Sequence, residues 1–245
     1  MSLDASRLRS WHRLGTGPVW MRRETPAAAA DSHANSSTSV PTGESREARI
    51  RTMAWPELRE TVLACTACGL CKTRKQAVFG VGNQTARWML VGEAPGAEED
   101  QRGEPFVGQA GRLLDNMLAS TGLSRQGDSA QSVYIANVLK CRPPGNRNPE
   151  PSEVALCEPF LLRQVELIQP DVIVVMGRFA AQSLLRTDAT IASLRGRVHQ
   201  IEVAGRKVPV VVTYHPAYLL RNLADKAKSW ADLCLAREVF ERSAR

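Results

Sequence analysis

Gly92-Glu93-Ala94-Pro95-Gly96-Ala97-Glu98-Glu99-Asp100, continued by Pro105-Phe106-Val107-Gly108, is the stretch on which the fold turns. It follows an apolar run, Trp88-Met89-Leu90-Val91, that reads as a strand buried on both faces, the habit of parallel sheets. Gly92 and Pro95 stop that strand at its carboxyl end. Open α/β sheets bind ligands along that edge. The loop is therefore the expected site, and other segments should converge on it.

Working outward, residues 133–138, 171–176 and 208–213 are three more apolar runs of strand length. Helical spacing fills the gaps. It covers 109–121 with Gly122 as a stop, 152–168 with Ser152 as N-cap and Pro151 just outside, a stretch after Gly177 to about 186, and 228–243. A short helix over 55–64 leads into Cys65-Thr66-Ala67-Cys68-Gly69-Leu70-Cys71. Strands alternating with helices predict a three-layer α/β/α domain around a four-stranded, mostly parallel sheet. Gly80-Val81-Gly82 lacks the GxxxxGK[ST] pattern of a phosphate loop and is rejected as one.

Composition shifts near residue 50. Residues 24–50 are rich in Ala, Ser, Thr, Pro and charge, bury too little apolar surface to offset ordering entropy, and read as a disordered linker before a catalytic domain at 51–245. Residues 1–23 hold Trp11 and Trp20 among Arg residues, in a segment too short to fold alone. That reads as a docking peptide for a replication or repair protein; it faintly resembles the amino-terminal peptide of the psi subunit of the bacterial clamp loader. A tail without a partner is the competing reading.

The net charge of +7 favours a polyanionic partner, nucleic acid before membrane. No apolar stretch reaches the roughly 18 residues of a membrane span, and the first 23 residues lack the apolar core of a secretory signal. A cytoplasmic, monomeric protein is expected. Six cysteines in a reducing compartment point to metal or redox chemistry more than to disulfides. Cys65 and Cys68 form a CxxC, with Cys141 after the second strand and Cys157 in the next helix. Four such thiolates hold an iron–sulfur cluster or zinc if their loops meet. Cys71 is a spare, and Cys234 reads as core packing.

Gly92-Glu93-Ala94, Asn137 and His215 each stand where a predicted strand ends. Asn offers one acceptor and two donors, enough to read an amide-like pyrimidine edge. His215 is placed to donate to a developing anion. The blander readings are a turn cap for Asn137 and a strand stop for His215. Phe106, in a Gly-rich loop, reads as a stacking face for a base rather than core filling. Glu98-Glu99-Asp100 reads as a solvated face or a polar wall. Arg142, Arg147, Arg221, Lys226 and Lys228 flank the same edge as phosphate contacts.

These residues, with Asn137 to Cys141 and His215-Pro216-Ala217-Tyr218-Leu219-Leu220-Arg221, together resemble the family 4 uracil-DNA glycosylases, the iron–sulfur enzymes of bacteria and archaea. The resemblance covers residues 54–243 and leaves the first 50 uncovered. It implies base-excision repair of uracil-containing DNA, single- or double-stranded, and a structural [4Fe-4S] cluster on Cys65, Cys68, Cys141 and Cys157, with Cys71 outside the set. It implies a pocket in which Phe106 stacks on uracil, the Asn137 amide reads its edge and the backbone at Gly92, Glu93 and Ala94 meets a carbonyl. Glu99 would bar a thymine methyl, and His215, Glu93 and Asn137 would be the catalytic groups. Ala94 stands where the best-known glycosylase class has an Asp, so leaving-group stabilisation must do more here. Two alternatives remain. One is a non-catalytic iron–sulfur DNA-binding module, a replication accessory. The other is a cross-linking glycosylase that traps the sugar on a His, for which Leu194-Arg195-Gly196-Arg197-Val198-His199-Gln200 is the superficial match.

Overall fold

The computed structural model describes residues 45–126 and 131–243. The proposed docking peptide at 1–23 and linker residues 24–44 lie outside them. Helices α1 (Arg46–Thr52) and α2 (Trp55–Leu63) come first, then strands β1 (Val81–Gly82) and β2 (Trp88–Gly92). Helices α3 (Ala97–Arg102) and α4 (Gln109–Ser120) lead to β3 (Val133–Asn137), α5 (Pro151–Ile168) and β4 (Val172–Met176). Then come α6 (Arg178–Leu185), α7 (Ile191–Leu194), β5 (Val198–Val203), β6 (Arg206–Thr213), α8 (Pro216–Arg221) and α9 (Lys226–Ser243).

The sheet has six strands in the order β1-β3-β2-β4-β6-β5. The middle four are parallel, as the sequence predicts, while β1 and β5 add antiparallel edges that it does not. β5 and β6 form a hairpin closed at Ala204-Gly205, both at positive φ. Strand alternation sorts the core into two layers. Met89, Val91, Ile173 and Val175 pack under α5 and α6, while Trp88, Leu90, Val172 and Val174 pack under α4 and α9.

Two expectations need correction. Part of the supposed linker folds: α1 starts at a Ser45 cap, and Ile50 is only 1% exposed, packed with Met53, Leu58 and Phe160. A single buried side chain against α5 supplies what the polar composition conceals. The N-cap of α5 is Glu150, not Ser152. Pro151 occupies the first helical turn, where its missing N–H costs nothing. The Glu153 carboxylate accepts from Glu150 N at 2.9 Å.

Candidate active site and cysteine cage

Asn137 ends β3 and sits in register with Gly92, the end of the neighbouring β2. His215 lies two residues past β6, and Phe106 lies between α3 and α4. A bare Gly92 is what lets them meet. A Cβ there would overlap Asn137 Oδ1 and come within 2.6 Å of Phe106 Cζ. The Phe106 and His215 rings lie roughly parallel, centroids 5.4 Å apart at 29°. The resulting cleft, about 460 Å³, is lined by Glu93, Ala94, Glu99, Phe106, Asn137 and His215, with Arg147 and Arg221 among its other residues. Its volume falls within the usual range for small-ligand sites.

Phe106 is not outside the core, as its loop suggests. It is 5% exposed and packs with Leu114 and Trp88, so one ring serves as core and as cleft wall. Its φ of 55° lies in the left-handed region, uncommon for a bulky residue. Glu99 braces that backbone, accepting from Val107 N at 3.0 Å and Gly108 N at 3.3 Å. Gly111 on α4 completes the fit, since a Cβ there would overlap the Phe106 carbonyl. The acidic run is the first turn of α3, where the helix dipole favours carboxylates. Asp100 is no solvated residue: it is 2% exposed and accepts from Lys75 N at 2.9 Å.

His215 caps α8, its Nδ1 accepting from Ala217 N at 3.1 Å. That bond assigns the proton of the neutral ring to Nε2. Burial pushes its pKa down to about 4; Glu99 opposes this and Arg221 reinforces it. At neutral pH the ring is therefore an uncharged donor. Asn137 is 3% exposed, and its Oδ1 is buried without a partner. Its backbone oxygen accepts from Lys140 Nζ at 2.8 Å. The fully buried Lys140 also reaches Gln164 Oε1 at 2.6 Å, and Gln164 Nε2 donates to Phe79 O at 2.9 Å and Tyr134 OH at 3.1 Å. Burial lowers the Lys140 pKa to about 8. Nothing in the sequence pattern marks Lys140 as an interior residue. Burial also raises the Glu93 carboxyl, against the pull of Arg178.

Of the five expected phosphate contacts, Arg147 forks onto Glu153 at 2.9 and 2.6 Å, Arg142 Nε donates to Asn146 Oδ1 at 2.7 Å, and Lys228 pairs with Asp225 at 2.8 Å. Arg221 and Lys226 are exposed. His199 belongs to β5, with Nε2 2.7 Å from Leu194 O, and does not line the cleft. The match to a cross-linking loop therefore has no counterpart in the site.

Cys65, Cys68, Cys141 and Cys157 line one small enclosed cavity beneath the loop after β3, and Cys71 reaches it too. All are unpaired thiols. Among the described residues no three His, Cys, Asp or Glu groups converge as ligands of a single metal ion. Cys234 is half-buried on α9.

A family model described as the Uracil DNA glycosylase superfamily matches residues 79–234. A type-4 uracil-DNA glycosylase of Archaeoglobus fulgidus is 51% identical over 163 residues, 65% of this chain and 79% of the relative. One from Thermotoga maritima is 46% identical over 69% of this chain and 84% of the relative. A type-5 enzyme of Pyrobaculum aerophilum is more distant, 34% identical over 58% of this chain and 66% of its own. The chain belongs to the uracil DNA glycosylase superfamily and, within it, to the type-4 enzymes.

Proposed function

We propose that this protein removes uracil from DNA by hydrolysing its N-glycosidic bond, leaving an abasic site for repair. The observation that carries the reading is the partnerless Asn137 Oδ1 beside the Phe106 ring and the neutral His215. Uracil offers a donor at N3 and an acceptor at O4. In the orientation observed, Oδ1 as acceptor and Nδ2 as donor, the Asn137 carboxamide matches both, whereas cytosine, with an acceptor at N3 and a donor at its amino group, would require the amide to flip. Leaving a buried amide unpaired costs about 1–3 kcal/mol, so the wrong base is disfavoured by default.

The target base must leave the stack to reach this cleft. Phe106 then supplies its stacking surface. As the bond breaks, negative charge grows on uracil and positive charge on the sugar. His215 Nε2–H donates to the uracil oxygen nearest the sugar, and a fixed donor in a dry pocket strengthens as that charge develops. The carbonyls of Gly92 and Glu93 are engaged by Val138 N and Leu139 N, and in this reading the turn meets the base through its amides. With Ala94 at its position, that station of the turn has no carboxylate to balance the sugar. Glu93 sits beside it, its carboxyl raised by burial, and is the turn's one side chain able to hold a water. The braced Glu99 lines the same cleft, and in this reading its carboxylate bars a thymine methyl.

Cys65, Cys68, Cys141 and Cys157 hold a [4Fe-4S] cluster in this reading. Four soft thiolates suit it. Zinc on the same four thiolates is the alternative, and iron content with absorbance near 400 nm decides between them. The cluster supplies a structural tie between the segment after α2 and the loop carrying Arg142 and Arg147. A basic chain fits work on DNA, and we place that work in the cytoplasm.

The test is strand cleavage after alkali, using matched uracil and thymine oligonucleotides. Uracil strands should break at the uracil and thymine strands should remain whole. Tight binding of uracil DNA without release of base would instead mark a non-catalytic binding module.

A further inference from the structure

Two arginines are aimed at the cysteine cage, and excision of uracil uses neither. Arg74 Nη1 donates to Cys141 Sγ at 2.8 Å while its Nη2 donates to Leu63 O at 2.9 Å, at the end of the helix that leads into Cys65. Arg46 Nη2 lies 3.8 Å from Cys65 Sγ, its Nη1 donates to Leu156 O at 2.8 Å next to Cys157, and its guanidinium covers the Phe160 ring at 4.8 Å. Lys140 N adds a backbone bond to Cys157 Sγ at 3.2 Å. Each arginine thus touches one cysteine and, through a carbonyl, the chain beside another. Arg74 joins the CxxC side to Cys141, and Arg46 joins it to the Cys157 side.

We infer that Arg74, supported by Arg46, is a positioning residue for the cluster: a cationic strap that offsets thiolate charge and holds ligands from three chain segments at their spacing. The inference rests on the cluster reading above. Four thiolates around a [4Fe-4S] core of charge +2 leave a net charge of −2, with Cys141 buried and the other three half-buried. Hydrogen bonds to the sulfurs and nearby positive charge stabilise the more reduced state, which raises the reduction potential. Arg74→Gln keeps a donor and removes the charge; Arg74→Lys keeps the charge and loses the fork.

The experiment uses the full-length holoprotein. Absorbance near 400 nm is followed in air with EDTA, and the potential is read by protein-film voltammetry. Arg237→Gln, on an exposed Arg237–Glu241 helix pair, controls for net charge. Arg74→Gln should lose its cluster about tenfold faster than wild type and shift to lower potential. Arg46→Gln should shift the same way by less, and Arg237→Gln should match wild type. Should Arg74→Gln not fold, Arg46→Gln carries the test alone. Wild-type lifetime and potential in every arginine variant that folds would overturn the strap. Wild-type protein with no absorbance near 400 nm and no iron would instead overturn the cluster reading itself.

Discussion

His215 shows how one hydrogen bond fixes a chemical role. Ala217 N–H occupies Nδ1, so the proton sits on Nε2, and burial keeps the ring neutral with a pKa of about 4. A folded-state pKa below the usual 6.5 means the unfolded chain binds the extra proton more readily. The His215 contribution to stability is therefore intact above pH 6.5 and lost as pH falls from 6.5 towards 4. Nitrogen-edited NMR should show a neutral Nε2–H imidazole at pH 7 that titrates near 4; titration near 6.5 would mean a charged ring in the site. Gly92→Ala is the complementary case. Its Cβ would intrude on both Asn137 and Phe106, and displacements near 1 Å at a reacting centre cost about a hundredfold in rate. Single-turnover excision should fall by that order, and the melting temperature should drop as well, because the Phe106 ring that must give way is part of the core. His215, Asn137 and Gly92 were visible in the sequence because each ends an apolar run. Lys140 and Asp100 were not, since a charged residue announces neither its burial nor its backbone partners.

Elements differ in how plainly they announce themselves. The four central strands are unbroken apolar runs because both faces are covered, and periodicity finds them directly. β1 has two residues, too few for a pattern. β5 alternates between exposed and half-buried residues, so no buried apolar face marks it as a strand. The hairpin turn at Ala204-Gly205 was its overlooked signal. α1 was hidden in a polar stretch because its stability comes from docking one isoleucine onto α5, not from propensity. Ile50→Ala should therefore destabilise the folded domain by about 2–5 kcal/mol, read from the urea midpoint at unchanged slope. A change below 0.5 kcal/mol would return α1 to the linker.

At the scale of the whole molecule, a parallel sheet delivers β2, β3 and β6 to one rim, and four cysteines line a cavity against the loop that follows β3. Arg221 stands exposed on the cleft at that rim, and a chain of net charge +7 suits a polyanionic partner. Each phosphate contact releases about 0.9 of a counterion. Arg221→Gln should therefore weaken binding equally to uracil and thymine DNA and reduce the slope of log affinity against log salt by about one. A loss confined to uracil DNA would move Arg221 from the rim into base recognition. The base pocket makes the opposite demand, with catalysis lost and binding kept. The decisive measurement is paired single-turnover excision and DNA affinity for Asn137→Ala and His215→Ala. Excision should drop by about 10²–10³-fold in each variant, with affinity for uracil DNA held within a few-fold. Wild-type excision rates in both variants would show that these three segments do not close on the base.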